Sequence, residues 1–140
     1  MKVLFDTNVV LDVLLNRQPF ADDAALLMSQ VERSEISGLL CATTVTTIHY
    51  LIAKALDADS AIKHIRLLLS LFEIAPVNRV VLENALERGF TDYEDAVIAE
   101  AASHAGADYI ITRNIRDFKN CPVPAYTPPG FIQVIDSLNG

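Results

Sequence analysis

The chain has 140 residues, is half hydrophobic, and carries a formal net charge of −7 from 18 acidic and 11 basic residues. That length fits one domain over residues 1–140, and the apolar content excludes a disordered chain. The acidic balance argues against a general phosphate-coating protein, which would be basic. It suits a pocket of carboxylates that binds divalent cations, and it suits ordinary surface solvation equally well.

Other classes lack support. Cys41 and Cys121 have no metal or redox spacing, and Cys41 sits in an apolar run as a small buried hydrophobe. His49, His64 and His104 do not fall at zinc-ligand spacings. Met1 leads straight into Val3-Leu4-Phe5 with no basic leader, and no window reaches the ~18 apolar residues of a membrane span. A cytoplasmic protein with no membrane partner is expected.

In chain order, Lys2 to Phe5 reads as a buried strand, followed by a helix from about Asn8 to Asn16. Residues 20 to 33 predict an amphipathic helix with Phe20, Ala24, Leu27, Met28 and Val31 on one face. Leu39 to Ala42 is a second strand. A helix near residues 44 to 56 gathers Val45, Ile48, Ile52 and Ala55. Asp57 or Asp59 caps the next helix, which carries Ile62, Ile65 and Leu69. Leu71 to Val77 contains a third strand, and Val80 to Arg88 is a short helix ended by Gly89. Thr91 and Glu94 have the spacing of a capping box for a helix that runs to Ala105 and stops at Gly106. Tyr109 to Thr112 is a fourth strand, and Phe131 to Ile135 a fifth after the loop at Pro128-Pro129-Gly130. This alternation predicts a three-layer α/β/α fold with a central parallel sheet of about five strands. Ligands of such sheets bind beyond the carboxyl ends of the strands.

Two of those ends carry acids. Asp6 follows the first strand; Thr112-Arg113-Asn114 and then Asp117 follow the fourth. Asp92 and Asp95 open the helix before it, on neighbouring parts of one face. Asp95 also lies in line with Ile98, Ala102 and Ala105, a stripe that should face the core, where a carboxylate needs a partner or a metal. Each residue has a plainer reading. Asp6 could cap the first helix, Asp92 could complement a helix dipole, and Asn114 could cap a short turn with Asp117. Together they form an oxygen-donor set suited to Mg²⁺ or Mn²⁺, which can activate a water against a phosphodiester.

The segments KVLFDTNVVLDVLL, TDYEDAVIAEAASHAGADYIITRNIRDF and KNCPVPAYTPPGFI resemble the PIN-domain family, in particular its branch of VapC-like toxins. The likeness runs from Met1 to about Ile135. It implies a nuclease site in which Asp6 and Asp95 are the main metal ligands. Asn114 falls where many members have a further acid, and Asp117 is the acid that remains nearby. Asp92 is an additional ligand candidate, while Asn8 and Thr112 would orient Asp6 and its loop. Many members also carry a glutamate early in the third helix; the matching position here is Thr47, so the carboxylate set is reduced. His49, close by, is no equivalent hard-metal ligand.

Arg113, Arg116 and Lys119 cluster beside Asn114 and Asp117 as a phosphate-positioning patch or as solvated loop charges. Tyr50 and Tyr93 could stack on bases, though aromatics near helix starts more often pack. The expected activity is metal-dependent endoribonuclease cleavage of RNA, as the toxin of a toxin–antitoxin pair. The resemblance adds an antitoxin protein and a second copy of the chain as partners. The alternative is a catalytically weak or inactive PIN-fold module that binds RNA or protein. Two other acidic α/β classes fit worse. A haloacid-dehalogenase-type hydrolase wants Asp-x-Asp where Asp6-Thr7-Asn8 stands, and a response-regulator receiver wants an aspartate that Ile74-Ala75-Pro76-Val77-Asn78 lacks.

Overall fold

Val3, Leu4 and Phe5 are apolar in succession, which leaves their strand no side to offer to water. In the computed structural model, which describes all 140 residues, they lie in the middle of a five-stranded sheet and are fully buried. The strands are β1 (Lys2–Phe5), β2 (Ser37–Cys41), β3 (Glu73–Ala75), β4 (Tyr109–Ile111) and β5 (Ala125–Tyr126). Their order is β3-β2-β1-β4-β5, and every pairing is parallel.

Seven helices cover the two faces: α1 (Thr7–Leu14), α2 (Ala21–Glu32), α3 (Ala42–Ala55), α4 (Ala58–Leu71), α5 (Arg79–Leu86), α6 (Tyr93–His104) and α7 (Pro128–Asn139). Side chains alternate across the sheet with period two. Val3, Phe5, Leu40 and Ile111 enter one core with Val9, Leu27, Ile48, Leu68 and Phe131 from α1, α2, α3, α4 and α7. Leu4, Leu39, Cys41 and Ile110 enter the other with Val81 of α5 and Val97, Ile98 and Ala101 of α6. The result is the expected α/β/α sandwich around a parallel sheet. No helix is long and apolar enough to cross a membrane.

One close approach depends on a glycine. A Cβ at Gly38 in β2 would stand 2.6 Å from the Phe72 ring and 2.9 Å from Val31 Cγ1. Phe72 in turn meets Phe5 edge to face at 5.3 Å between ring centroids.

Two sequence expectations need correction. Phe131 to Ile135 is not a strand but part of α7. Thr127 caps that helix by accepting a hydrogen bond from the Gly130 amide at 3.2 Å, and the prolines occupy its first positions, where a missing N–H is harmless. Phe131 and Ile135 are four residues apart and share its buried face. The fifth strand is the shorter Ala125–Tyr126. The cap of α6 is likewise Asp92, not Thr91: its carboxylate accepts from the Asp95 amide at 3.2 Å. Glu94 is thereby released from the role of capping partner. Asp57 caps α4 through the Ser60 amide, and Gly89 has the positive φ of 73° expected after α5.

Candidate active site

The parallel register determines what meets what at the carboxyl edge of the sheet. Phe5 pairs with Ile111, so Asp6 and Thr112 leave β1 and β4 side by side. The Thr112 hydroxyl donates to Asp6 Oδ2 at 2.8 Å and accepts from the Asn114 amide at 3.1 Å. Asp6 Oδ1 accepts from the Thr7 amide at 2.8 Å. Asp6 therefore caps α1 and faces the site at once; the two readings of this residue are compatible. Its carboxyl is buried, and burial pushes its pKa up. The Thr112 and Thr7 hydrogen bonds oppose that rise.

Asp6, Asn8, Asp92, Asp95, Asn114 and Asp117 all line one open cleft of ≈ 280 Å³. Asp6 and Asn8 lie more than 100 residues from Asn114 and Asp117 in sequence, and the sheet edge brings them together. Thr47 of α3 lines the same cleft, with its hydroxyl donating to the Thr43 carbonyl at 3.0 Å. Asn8 lines the cleft without a side-chain hydrogen bond to Asp6, whose partners are Thr112 and Thr7. Asn114 makes no side-chain cap to the short 3-10 turn Ile115–Phe118, so its amide is not consumed by the backbone there.

Glu94 also lines the cleft. Its Thr-x-x-Glu spacing suggests a capping role, and the cap at Asp92 leaves its carboxylate free of that role. Thr7 and Thr44 were missed as well. Their hydroxyls bond at 2.9 Å in a buried contact that ties α3 to α1 and so orients the Thr47 wall.

The electrostatics of this cleft are unfavourable as they stand. Asp95 is half-buried and its pKa is pushed up to about 7, first by burial and then by the negative charges of Asp6, Asp92, Asp117 and Glu94. Like charges gathered in a partly desolvated cleft favour protonation or a bound cation. No three of these side chains stand close enough, as oriented, to hold an ion between them. The donor chemistry fits a hard ion that retains several waters and touches only one or two carboxylates directly, as Mg²⁺ does.

Arg113 and Arg116 border one cavity beside the cleft, and Lys119 lies outside it. Arg113 turns to the fully buried Asp12, with Nε 3.0 Å from Oδ2, and its guanidinium carbon lies 4.1 Å from the Phe20 ring centroid. The approach to Asp12 is ionic rather than hydrogen-bonded, since neither atom completes a bond of good geometry. Arg17 takes the other oxygen, Nε to Oδ1, at 2.8 Å. Arg116 lines a cavity of ≈ 310 Å³ next to the cleft, together with Arg113, Asn114 and Asp117. Lys119 is exposed and lines neither the cleft nor that cavity. Tyr93 is tied to α5 through a hydrogen bond from its hydroxyl to the Leu82 carbonyl at 2.8 Å. His49 is exposed and outside the cleft.

An acid-lined cleft at the carboxyl edge of a five-stranded parallel sheet, entered from strands β1 and β4 and from the start of α6, is the layout of a PIN-type domain. Residues 2–116 match the PIN domain family, and the chain belongs to it. It is 23% identical to Ribonuclease VapC1 of Aquifex aeolicus over 98% of this chain and 97% of that protein. Among solved structures it is similar to the DNA-bound VapBC of Salmonella typhimurium, with a TM-score of 0.70 at 17% identity over 91% of this chain and 98% of that one. It is also similar to a toxin–antitoxin complex from Klebsiella pneumoniae, with a TM-score of 0.67 at 24% identity over 90% and 97% of the two chains. At these identities the structural likeness establishes the fold.

Proposed function

We propose that this chain is a metal-dependent endoribonuclease that hydrolyses RNA phosphodiester bonds, and that it is the toxin of a toxin–antitoxin pair. The observation that carries this reading is the convergence of Asp6, Glu94, Asp95 and Asp117 in one cleft, with Asp95 raised to about 7 by burial and then by its acidic neighbours. A divalent ion, Mg²⁺ or Mn²⁺, supplies when bound a water of lowered pKa and a positive charge to meet the phosphate. Asp6 and Asp95 are the residues that hold it, with Asp92, Glu94 and Asp117 acting directly or through water. Thr112 and Thr7 keep the Asp6 carboxylate pointed into the cleft. Asp117 orients the attacking water and accepts its proton, and the Asn114 amide donates to a phosphate oxygen. Asn8 shapes the cleft floor. Arg116 and Lys119 supply what positive charge the RNA backbone meets beside the cleft; Arg113, already paired with Asp12, contributes less to it.

The similarity to Ribonuclease VapC1 and to structures of toxin–antitoxin complexes supports an antitoxin protein as a partner. A homodimer in the cytoplasm belongs to the same reading, and light scattering of the purified chain tests it. The decisive experiment incubates the protein with mixed RNA in Mg²⁺, Mn²⁺ or EDTA and maps the product ends. Cleavage in metal, lost in EDTA and in folded Asp6→Asn and Asp95→Asn, is expected. Undiminished cleavage in EDTA, or by both variants, would sink the reading.

A second reading is favoured by one feature. Thr47 gives α3 no carboxylate in the cleft, which suits a module that binds RNA or a protein without turnover. Tight Mn²⁺ binding, with RNA bound and recovered uncut, would select it.

A further inference from the structure

A second cavity, of ≈ 310 Å³, opens on the same edge of the sheet. That volume is at the lower end for small-ligand pockets, about 300 Å³. Its walls come from Pro19 and Phe20 before α2, Arg113 after β4, Thr127 after β5, and Pro128 and Pro129 at the start of α7. The lining is mostly apolar, yet Phe20 at the start of α2 remains 42% exposed. A large aromatic left that open at a helix start does not contribute its full area to the core. It is instead held in place by the Arg113 guanidinium, 4.1 Å from its ring centroid, which is itself fixed by the buried Asp12.

Shared lining residues link this shelf to the acidic cleft through a third cavity. The cavity over the 3-10 turn shares Asn114 and Asp117 with the cleft and Arg113 with the shelf. Arg116 lines the passage between them. A chain leaving the cleft along this path passes cationic side chains first and then meets flat, apolar and guanidinium surfaces. Those are the surfaces on which nucleobases stack, independent of base identity. Asp23 also borders the shelf, which disfavours a phosphate there and favours a base.

We propose that the Phe20–Arg113 shelf is a nucleobase subsite, stacking one unpaired base of the single-stranded RNA that flanks the phosphodiester in the cleft. This rests on the ribonuclease reading and specifies the substrate as RNA unpaired next to the cut. An apolar side chain of a protein partner is the competing occupant.

The test measures binding of a fluorescent single-stranded RNA oligonucleotide by anisotropy in an Asp6→Asn background, which is not expected to cleave it. The same oligonucleotide with an abasic site at each position in turn is the comparison. Phe20→Ala should weaken binding about tenfold, the scale of one lost stacking contact. Phe20→Trp should retain it, Phe20→Leu should not, and one abasic position should bind weakly and be indifferent to Phe20→Ala. Unchanged melting temperatures of the variants secure the comparison, since Phe20 is exposed. Affinity unaltered by Phe20→Ala, or fully kept by Phe20→Leu, would overturn the subsite and point to a protein side chain instead. If the Phe20-containing protein binds no RNA at all, the ribonuclease reading falls along with the shelf. RNA bound in this background, and cut by the protein that retains Asp6, with no dependence on Phe20 in either assay removes the shelf alone.

Discussion

Removing the charge of Asp95 should make the metal-free protein more stable, and by an amount that depends on pH. In the folded chain its pKa is about 7, against an ordinary 3.8. Below pH 4 the carboxyl is protonated in both folded and unfolded chains, and the shift has no effect on stability. Between about pH 4 and 7 the unfolded chain gives up the proton and the folded chain retains it, so stability falls as pH rises. Above pH 7 the loss is complete. The full shift corresponds to about 4 kcal/mol. Asp95 is only half-buried, and solvent screening reduces the expected effect to about 2 kcal/mol. Asp95→Asn keeps the shape and abolishes the titration. In EDTA it should therefore match the wild type near pH 4 and exceed it by about 2 kcal/mol at pH 8. Urea denaturation at the two pH values measures this. Mn²⁺ should stabilise the wild type more at pH 8 than at pH 5, because binding needs the ionised carboxylates, and should stabilise Asp95→Asn less at either. An Asn variant no more stable than wild type at pH 8 would refute the electrostatic account. A Mn²⁺ effect that is independent of pH and retained in the variant would show that Asp95 is not a ligand.

Thr47→Glu should place a carboxylate on the α3 wall and tighten Mn²⁺ binding, read by calorimetric titration; equal or weaker binding by the folded variant would show that this wall does not reach the ion. Arg113→Ala should leave Asp12 Oδ2 buried without a counter-charge, and with Arg17 still in place the loss should be about 2 kcal/mol in urea unfolding. Gly38→Ala should cost about 1–3 kcal/mol, because its Cβ would overlap the Phe72 ring. Combining it with Phe72→Leu should recover part of that loss, and no recovery would locate the strain elsewhere.

Much of this architecture is written locally. The continuous apolar run at Val3-Leu4-Phe5 can be stable only when buried on both faces, which makes β1 an inner strand. The 3.6-residue period of α2 and the Gly89 and Gly106 stops depend on neighbours a few positions away, whereas α4 buries Ala61 and Leu68 and leaves the expected Ile62 and Leu69 exposed. The gathering of acids at the carboxyl edge follows from one rule about parallel sheets, applied to Asp6 and to the residues after Ile111. The errors were local too. Phe131 to Ile135 fits a short apolar strand or a helix face equally well, and Thr127 with two prolines decides for the helix. Thr91 and Asp92 compete for one cap, and the choice turns on which side chain reaches the Asp95 amide.

What no local pattern could decide is which acids share a space and which cations are already engaged. Glu94 enters the cleft only because α6 begins one residue later than its Thr-x-x-Glu spacing suggested. Arg113 stands next to Asn114 in sequence, yet it is drawn to Asp12, a carboxylate about a hundred residues away that the packing of α1 leaves wholly buried. A buried charge takes the nearest counter-charge that geometry permits, whatever the surface might otherwise use it for. The raised pKa of Asp95 has the same origin. Sequence supplies the carboxylates, but their repulsion depends on distances and on the water excluded between them, and both are set by how β1, β4 and α6 pack.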